Sequence, residues 1–339
     1  GLSAETFWIR AWYGKKAWLF LLLPISWLFS ALSSLRRGYL QSRHQGTPFS
    51  APVVVIGNIS VGGSGKTPLI IALVRALHEK GYSVGVVSRG YGGKARRYPL
   101  VVTQSTPVSD SGDEPLLIAN SCGCPVVVGP NRANAVRTLI ERFSCDLILS
   151  DDGLQHYRMH RDVEVAVIDV ARGLGNGFTL PAGPLREPQH RLDEVDMIVR
   201  NGGDSEMPVS HKSENNSCVQ LMPVGLRKLG SDRLISLDEW ADSMSVHAVA
   251  GIGHPERFAA TLMEMGFMTE LHAKNDHQAL SIGDVQFNDK RPVIITEKDA
   301  IKYKDLVPDN LWVLEVRMPL SDEFVNKLLS CAGLPVTNL

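Results

Sequence analysis

After Arg43, short runs of β-branched residues alternate with stretches whose apolar residues recur at helical spacing. Apolar runs without polar alternation are typical of strands buried on both faces, as in a parallel sheet covered by helices. The predicted strands are residues 52–56, 83–88, 125–128, 146–150, 163–168 and 197–199, and the clearest helices are residues 68–80 and 132–143. The pattern predicts an α/β fold in which helices flank a mostly parallel sheet.

A polar segment rich in turn-forming residues, residues 201–217, interrupts this alternation. Such a composition is typical of a boundary between domains. A smaller α/β unit follows it, with predicted strands at residues 219–223, 246–250, 293–296 and 312–316 and a helix at residues 255–265. We therefore predict three parts: an N-terminal helix over residues 1–36, a larger core over residues 37–202 and a C-terminal α/β domain over residues 203–339.

The stretch of residues 17–35 carries no charge for 19 residues and is flanked by basic residues on both sides. A helix of that length approaches the ~30 Å thickness of a bilayer's hydrocarbon core. A secretory signal is disfavoured by Arg36 and Arg37, which stand where a small-residue cleavage site would end. Pro24 and several serines interrupt the run, so a membrane span, a helix lying in the membrane plane and a buried core helix remain alternatives.

The composition of the 339 residues fits two globular domains, with 44% hydrophobic and 21% charged residues. The net charge of -1 provides no overall attraction to nucleic acid, so we expect no nucleic-acid partner. The five cysteines are scattered and odd in number, which indicates reduced thiols in the cytoplasm rather than a disulfide framework. Cys122 and Cys124 lack the spacing and the further ligands of a zinc site.

The strand predicted at residues 52–56 runs into a glycine-rich turn that ends in Gly-Lys-Thr before a predicted helix. This order is typical of a P-loop, in which backbone N–H groups and the positive end of the helix dipole bind phosphate. Lys66 would neutralise the γ-phosphate of ATP, and the Thr67 hydroxyl would bind Mg²⁺. Ser60 stands where the usual pattern begins with glycine. The candidate nucleotide-binding residues are Ser60, Val61, Gly62, Gly63, Ser64, Gly65, Lys66 and Thr67.

A second apolar strand ends in two carboxylates, Asp151 and Asp152, which are the candidate acids for Mg²⁺ beside Thr67. Successive side chains of a strand point in opposite directions, so we expect only one of the two to face the metal. The chain has no Asn-Lys-x-Asp string that would read guanine. Residues 296–299, Thr-Glu-Lys-Asp, are only superficially similar to it.

Several further motifs accompany these two. They are Ser-Arg-Gly-Tyr-Gly at residues 88–92, Gly-Asp-Glu-Pro at 112–115, Asp-Asp-Gly-Leu-Gln-His at 151–156, Pro-Ala-Gly-Pro-Leu-Arg-Glu at 181–187, Gly-Ile-Gly-His-Pro at 251–255, Asp-His at 276–277 and Thr-Glu-Lys-Asp at 296–299. In this order, and together with the phosphate loop, they resemble the tetraacyldisaccharide 4'-kinase family over nearly the whole chain. Leu154 and Gln278 depart from the pattern, at positions where phenylalanine and histidine are common.

The resemblance implies a P-loop NTPase-type sheet. It also implies ATP- and Mg²⁺-dependent phosphorylation of the 4'-hydroxyl of a tetraacyldisaccharide 1-phosphate, which forms lipid IVA in lipid A biosynthesis. The implied location is the cytoplasmic face of a Gram-negative inner membrane, where the N-terminal helix would contact phospholipid. The implied partner is the lipid disaccharide substrate, and no obligate protein partner is implied.

The resemblance also implies roles for particular residues. Asp113 would be the catalytic base, working with His277 and with Lys66 at the phosphate. Arg89 and Arg186 are forked donors that could bind a phosphate of ATP or of the substrate. The remaining candidates for the nucleotide or metal shell are Gln155, His156 and Glu187.

Two other functions remain compatible with the motifs. One is a membrane-associated P-loop ATPase or GTPase in which hydrolysis resets a conformation. The other is a kinase for a different membrane amphiphile, such as a prenyl alcohol or diacylglycerol.

Overall fold

The computed structural model describes residues 4–43, 47–202, 216–275, 280–303 and 308–336. At the N-terminus, helix α1 (Ala4–Tyr13) is followed by a 3₁₀ helix (Ala17–Leu22) and by α2 (Leu23–Arg43). Pro24 lies in the first turn of α2, where the N–H that proline lacks would have no helical acceptor. The proline therefore divides the apolar run into a 3₁₀ segment and a regular helix.

The larger sheet has eight strands in the order β3-β4-β2-β5-β1-β6-β7-β8. Their bounds are β1 Val53–Gly57, β2 Val84–Ser88, β3 Leu100–Val102, β4 Val126–Val128, β5 Leu147–Asp151, β6 Val163–Asp169, β7 Met197–Asn201 and β8 Asn216–Val219. All neighbours are parallel except β3, which pairs antiparallel with β4. The predicted α/β class and the strands predicted in this region are confirmed.

Four helices connect these strands: α3 (Lys66–Glu79), α4 (Val108–Ser111), α5 (Asp113–Cys122) and α6 (Arg132–Phe143), and a 3₁₀ helix covers Gln189–Glu194. Leu69 and Leu73 of α3 and Leu116 of α5 pack in a buried cluster on one face of the sheet. Val136 and Leu139 of α6 pack in a second cluster on the other face. The sheet is therefore dry on both sides, as its uniformly apolar strands predict.

The second sheet has six strands in the order β10-β9-β14-β13-β11-β12. Their bounds are β9 Met222–Lys228, β10 Leu234–Ile235, β11 Ser245–Ala250, β12 Met268–Ala273, β13 Val293–Thr296 and β14 Leu311–Arg317. The helices are α7 (Pro255–Glu264), α8 (Glu297–Ala300) and α9 (Asp322–Cys331), and 3₁₀ helices cover Leu237–Glu239 and Ile282–Val285. Strands β12, β11, β13 and β14 run parallel, and β9 and β10 extend the sheet antiparallel.

One predicted strand, residues 219–223, is wrong as a single element. Val219 ends β8 in the first sheet, and Met222 begins β9 in the second sheet. Both sides of this junction are strand-forming, so the residue pattern alone does not reveal where the chain changes sheet. The last helix returns to the first sheet, because Phe324 and Leu328 of α9 belong to the same buried cluster as α3.

The N-terminal helices are fixed to the larger core by polar contacts on one side. Trp12 Nε1 donates to Pro181 O at 2.9 Å, and the Ser26 hydroxyl donates to Thr179 O at 2.9 Å. The same hydroxyl accepts a hydrogen bond from the Ala182 N–H at 2.9 Å. The polar serines of this run therefore bind the segment that precedes Leu185.

The other side of these helices exposes large apolar side chains, which include Leu21 (81% exposed) and Leu35 (70% exposed). By length and composition the segment Ala17–Ser42 could also cross a bilayer, since a stretch of 18 residues within it has a mean hydropathy of 1.8. Only 11% of those 18 residues are buried against the protein. Of the alternatives left open by the sequence, a buried core helix is therefore wrong, since a core helix would be enclosed on all sides.

Candidate active site

The glycine-rich turn after β1 leads directly into the first turn of α3. Gly65 adopts φ +87°, and a Cβ at this position would lie 2.1 Å from Asn201 Nδ2. Gly62 adopts φ +105°, and a Cβ there would lie 2.4 Å from Arg172 Nη1. Both residues must therefore be glycine for the turn to close. The first N–H groups of a helix have no helical acceptors, so the start of α3 offers donors to an anion.

The first residues of the turn use their backbone hydrogen bonds to bind residues 184–186. The Val61 N–H donates to Pro184 O at 2.8 Å, and Ser60 forms a bridge with Leu185. The Arg186 N–H donates to Ile59 O at 2.6 Å. These contacts leave the amides of residues 62–67 as the part of the turn that can enclose phosphate.

The Lys66 ammonium lies between two oxygen acceptors. Its Nζ is 3.1 Å from Asn58 Oδ1 and 3.3 Å from Asp152 Oδ1. The Asn58 amide donates to Gly62 O at 3.2 Å, so the same asparagine links the lysine to the glycine turn. An ammonium has three N–H donors, and the third can meet a phosphate oxygen.

Gln155 and Glu187 hold the backbone of Asn58 in place. Gln155 Nε2 donates to Asn58 O at 3.1 Å and to Glu187 Oε2 at 2.9 Å. Glu187 is buried and also accepts a hydrogen bond from the Tyr157 hydroxyl. Both residues thus support the backbone of Asn58, whose side chain binds Lys66.

The two acids at the end of β5 lie in different surroundings. Asp151 is the last residue of the strand, and its Oδ2 accepts a hydrogen bond from the Ser88 hydroxyl at 3.1 Å. Asp152 turns away from the strand with φ +47° and contacts Arg186 at 3.2 Å. A left-handed conformation is uncommon for residues other than glycine, and it separates the two carboxylates.

The same surroundings shift the pKa of each acid in opposite directions. Burial, together with the negative charges of Glu114 and Asp152, raises the pKa of Asp151 to about 7. Burial also opposes ionisation of Asp152, but the charges of Lys66, Arg186 and Arg132 outweigh it and lower the pKa to about 2. Asp152 is therefore a permanent anion, whereas Asp151 becomes one near neutral pH.

Asp151 and Thr67 fit a magnesium ion. Asp151 Oδ1 is buried and has no hydrogen-bond partner among the described residues. Thr67 is in the first turn of α3 and is 9% exposed. Hydroxyl and carboxylate oxygens are the ligands that Mg²⁺ prefers, and a buried carboxylate oxygen without a partner is costly unless a ligand satisfies it.

Basic side chains surround the outer edge of the site. Arg132 is buried, and its guanidinium donates to Ser150 Oγ and to Asp152 O, both at 3.0 Å. Burial lowers the pKa of His156 to about 4, and the charges of four arginines, Arg89 and Arg132 among them, act in the same direction. His156 is therefore neutral at physiological pH. The Arg89 side chain is exposed at this edge of the site.

Asp113 begins α5 and is buried. Lys298 Nζ, from α8 at the end of the second sheet, lies 3.5 Å from Asp113 Oδ2 and 3.5 Å from Glu114 Oε1. The turn before Asp113 requires Gly112, since a Cβ there would lie 2.3 Å from Tyr91 O. His277, the predicted partner of Asp113, lies outside the described residues.

The sequence model of the family described as tetraacyldisaccharide-1-P 4'-kinase matches residues 18–332. The chain belongs to this family. The tetraacyldisaccharide 4'-kinase of Stutzerimonas stutzeri is 44% identical over 317 residues, which cover 93% of this chain and 93% of that protein. The tetraacyldisaccharide 4'-kinase of Hahella chejuensis is 42% identical over 325 residues, with 94% of each chain covered.

A solved structure has the same fold. The crystal structure of LpxK from Aquifex aeolicus in complex with ATP superposes with a TM-score of 0.76 and 24% sequence identity. The superposition covers 92% of this chain and 99% of that chain. The likeness extends over both sheets, and it confirms the predicted P-loop-type α/β architecture.

Sequence reasoning missed several side chains that this member of the tetraacyldisaccharide 4'-kinase family brings to the site. Asn58 follows β1 directly, and Glu114 is the neighbour of Asp113, so both had a local signal. Arg172, whose guanidinium lies against Gly62, comes from the turn after β6 and had none. Lys298 lies in a motif that was noted but given no role. Arg132 begins α6 and is buried, and its role depends on Ser150 and Asp152, which lie far from it in the sequence.

Proposed function

We propose that this chain transfers the γ-phosphoryl group of ATP to the 4'-hydroxyl of a tetraacyldisaccharide 1-phosphate, forming lipid IVA in lipid A biosynthesis. The observation that carries the proposal is the placement of Lys66 between Asn58 and Asp152 at the start of α3, in a chain of this family. In this arrangement a fixed positive charge lies beside amides that can enclose a triphosphate.

Phosphoryl transfer depends mainly on positioning and on neutralising charge at the transferred group. The amides of residues 62–67 would hold the β- and γ-phosphates, and Lys66 would move its third N–H to a γ-oxygen. Arg186, held on Asp152 beside the turn, and the exposed Arg89 would bind the phosphate of either substrate. Gln155 and Glu187 would keep Asn58 in place.

We assign the magnesium ligands to Thr67 and Asp151. When bound, Mg²⁺ would neutralise charge on the phosphate oxygens and orient them. Asp151 must be ionised to be a ligand, and its raised pKa places this step close to neutral pH. Asp152 keeps its charge and holds Lys66 and Arg186 in position.

We assign the catalytic base to Asp113. A carboxylate can accept the proton of the attacking hydroxyl within hydrogen-bond reach. The Lys298 ammonium lies 3.5 Å from Asp113 Oδ2 and can hold this carboxylate in position. Because Lys298 lies on α8, which directly follows β13 of the second sheet, its contact with Asp113 also connects that sheet to α5 at the site. His277 remains the predicted partner of this acid.

We place the protein at the cytoplasmic face of the inner membrane, with the exposed face of α2 in the lipid. A substrate with four acyl chains stays in the bilayer, because each buried methylene contributes about 0.8 kcal/mol. The apolar side chains of α2 point away from the core, which supports contact with phospholipid along one face of the helix.

The membrane proposal predicts that Leu28→Asp weakens binding to phospholipid vesicles by about tenfold or more, since a buried leucine contributes about 1.5–3 kcal/mol. Leu28 is 60% exposed, so the substitution should leave the fold intact. Met263→Asp is the matched control, because Met263 is 54% exposed on α7. Equal cosedimentation of both variants with vesicles would contradict the proposal.

The reaction is tested by incubating the full chain with γ-labelled ATP and a panel of acceptors in mixed micelles. We expect label on the 4'-hydroxyl of the tetraacyldisaccharide 1-phosphate and none on a prenyl alcohol or diacylglycerol. Lys66→Met should lower the rate about 100–1000-fold, as the loss of one charge-stabilising donor does in other enzymes. Lys80→Met, at the opposite end of α3, is the matched control and should keep the rate of the unmodified chain.

Asp113→Asn should lose turnover while it still binds ATP, which separates the base from the phosphate loop. Transfer to another amphiphile would instead support the second kinase function. Rapid ATP hydrolysis that no lipid accelerates would support a conformational switch. Labelling of the sugar by Lys66→Met at the unmodified rate would overturn the assignment of the phosphate loop.

A further inference from the structure

Two imidazoles and a carboxylate lie together on the second sheet, outside the candidate active site. His247 is on β11, and Glu270 and His272 are on the adjacent edge strand β12. Glu270 pairs in register with His247, and His272 follows two residues later on the same face. His247 is 2% exposed, whereas His272 and Glu270 reach the surface. The phosphoryl-transfer reaction has no use for these three side chains.

The hydrogen bonds of His247 determine which of its ring nitrogens can bind a metal. Its Nε2 lies 3.0 Å from Asp289 Oδ1, and an ionised carboxylate can only accept, so Nε2 carries the proton. The lone pair of the neutral ring is then on Nδ1, which lies 3.0 Å from His272 Nε2. A histidine that donates one N–H to a carboxylate and presents its other nitrogen is the usual arrangement of a metal-binding histidine.

The distances among the three side chains are close to those between the ligands of a tetrahedral metal site. His247 Nδ1 is 3.0 Å from His272 Nε2 and 3.7 Å from Glu270 Oε2, and His272 Nε2 is 3.6 Å from Glu270 Oε1. Zinc binds nitrogen and oxygen at about 2.0–2.2 Å, so its ligands in a tetrahedron lie about 3.3–3.6 Å from one another. Glu270 approaches His247 through Oε2 and His272 through Oε1, so its carboxylate must rotate for one oxygen to bind an ion held by both imidazoles.

The surroundings favour a cation. The Arg291 guanidinium binds Glu270 Oε2 at 2.6 Å and Asp289 Oδ2 at 2.7 Å, which leaves Glu270 Oε1 for a further ligand. One guanidinium between two carboxylates leaves one negative charge at the cluster. Phe287 stacks on the His247 ring with centroids 3.8 Å apart and covers the inner side of the cluster. Apolar cover of this kind limits the access of water to a metal site.

We propose that His247 Nδ1, His272 Nε2 and Glu270 Oε1 bind a divalent cation of the zinc type, with water as the fourth ligand. For the metal to bind, His272 loses the proton on Nε2 to solvent and takes one on Nδ1, so that the ring stays neutral. Bound metal would join β12, the edge strand of the sheet, to β11. Imidazole and carboxylate ligands together favour zinc over magnesium or calcium.

The test uses the full chain, stripped of metal by a chelator and titrated with Zn²⁺ in buffer that contains Mg²⁺. We expect one Zn²⁺ per chain and a rise in Tm as it binds. Co²⁺ in place of Zn²⁺ should give the absorption of a four-coordinate ion without the charge-transfer bands of a thiolate ligand. His272→Gln should weaken Zn²⁺ binding more than about 100-fold, and Asp289→Asn about 10–100-fold.

His190→Gln is the matched control, because His190 is exposed on the 3₁₀ helix Gln189–Glu194, far from the proposed site in the sequence. The His190→Gln chain should bind Zn²⁺ as the unmodified chain does. If stripped His272→Gln unfolds, Glu270→Gln replaces it, since the Glu270 side chain is 53% exposed. The proposal is wrong if the unmodified chain binds no Zn²⁺, if the ligand variant binds it unchanged, or if Co²⁺ shows thiolate bands.

Discussion

Asp151 in the first sheet and Asp299 in the second are buried aspartates at the carboxyl ends of parallel strands, and their oxygens are satisfied in opposite ways. Asp151 follows β5 in the first sheet, and one of its oxygens has no hydrogen-bond partner among the described residues. Asp299 follows β13 in the second sheet and is fully buried. Both belong to parallel sheets of similar construction, so the comparison isolates what each carboxylate contacts.

Asp299 has partners on both oxygens. Its Oδ2 accepts hydrogen bonds from the Gly251 N–H at 3.0 Å and from the Thr296 hydroxyl at 2.8 Å. Its Oδ1 lies 2.8 Å from Lys302 Nζ, which is itself buried. The carboxylate thereby connects the turn after β11 to the start of α8. Its contacts are those of a structural residue.

Asp151, by contrast, has one hydroxyl partner and two negative neighbours. Its raised pKa reflects burial and those two negative charges, which the positive charges of Lys66 and Arg132 offset only in part. The difference shows that a position at the end of a strand is not enough to make an aspartate a candidate metal ligand. A buried carboxylate oxygen without a hydrogen-bond partner is the better indicator, because such an oxygen is tolerated where a bound metal ion satisfies it.

The comparison predicts its largest effect on turnover. Asp151→Asn keeps the hydrogen bond from Ser88 but removes the charge, so the rate of lipid phosphorylation should fall about 100–1000-fold. Asp299→Asn should reduce the rate only in proportion to the fraction of chain that remains folded. Both rates are measured with labelled ATP at saturating magnesium. Equal losses in the two variants, corrected for folded fraction, would break the distinction.

For stability we expect the reverse: Asp299→Asn should lower the free energy of unfolding more than Asp151→Asn does. Asp299→Asn leaves the Lys302 ammonium buried without its counterion, so the free energy of unfolding should fall by about 3 kcal/mol. Asp151→Asn should lose none, since it removes a buried charge rather than a pair. Urea denaturation of both variants, without nucleotide, measures the difference. A stable Asp299→Asn chain would show that its three contacts contribute little.

The third and smallest effect is a dependence on pH. Asp151 has a pKa of 3.8 when unfolded and about 7 when folded, so between these values the folded state holds a proton that the unfolded state has lost. The unmodified chain therefore loses stability as pH rises through this window, whereas Asp151→Asn does not. Their difference in unfolding free energy should grow by on the order of 2 kcal/mol from pH 5 to pH 7.

Denaturation midpoints at several pH values measure this difference. Taking the difference between two chains removes the contribution of Glu297, whose pKa burial and the charge of Glu315 also raise to about 7. A difference that stays constant across the window would mean that Asp151 is ionised in the folded chain at pH 5.

Local patterns were sufficient for much of the fold and for the phosphate loop. The strands and α3 follow from apolar periodicity, and Lys66 and Thr67 lie in a contiguous motif whose chemistry needs no knowledge of distant residues. Asp151 and Asp152 could be predicted as a pair because a strand ends there. Their opposite pKa shifts could not, since these depend on Glu114 and Arg186 from other elements.

Contacts between distant segments were beyond sequence reasoning. Lys298 meets Asp113 only because α8 and α5 face each other across the two sheets. The pairing of His247 with His272 depends on the register of β11 and β12, which no local signal specifies. The passage from β8 to β9 was missed for a similar reason, because residues suited to either sheet stand on both sides of it.

The segment that joins the N-terminal helices to the phosphate loop has a mechanical consequence. Thr179 and Ala182 bind Ser26 of α2, and a few residues later Leu185 pairs with Ser60. In the proposed arrangement, with α2 in the lipid, this short segment would set the distance between the γ-phosphate and the bilayer surface. The accepting hydroxyl would then have to reach the γ-phosphate at that distance, so the size of the headgroup would help to select the acceptor.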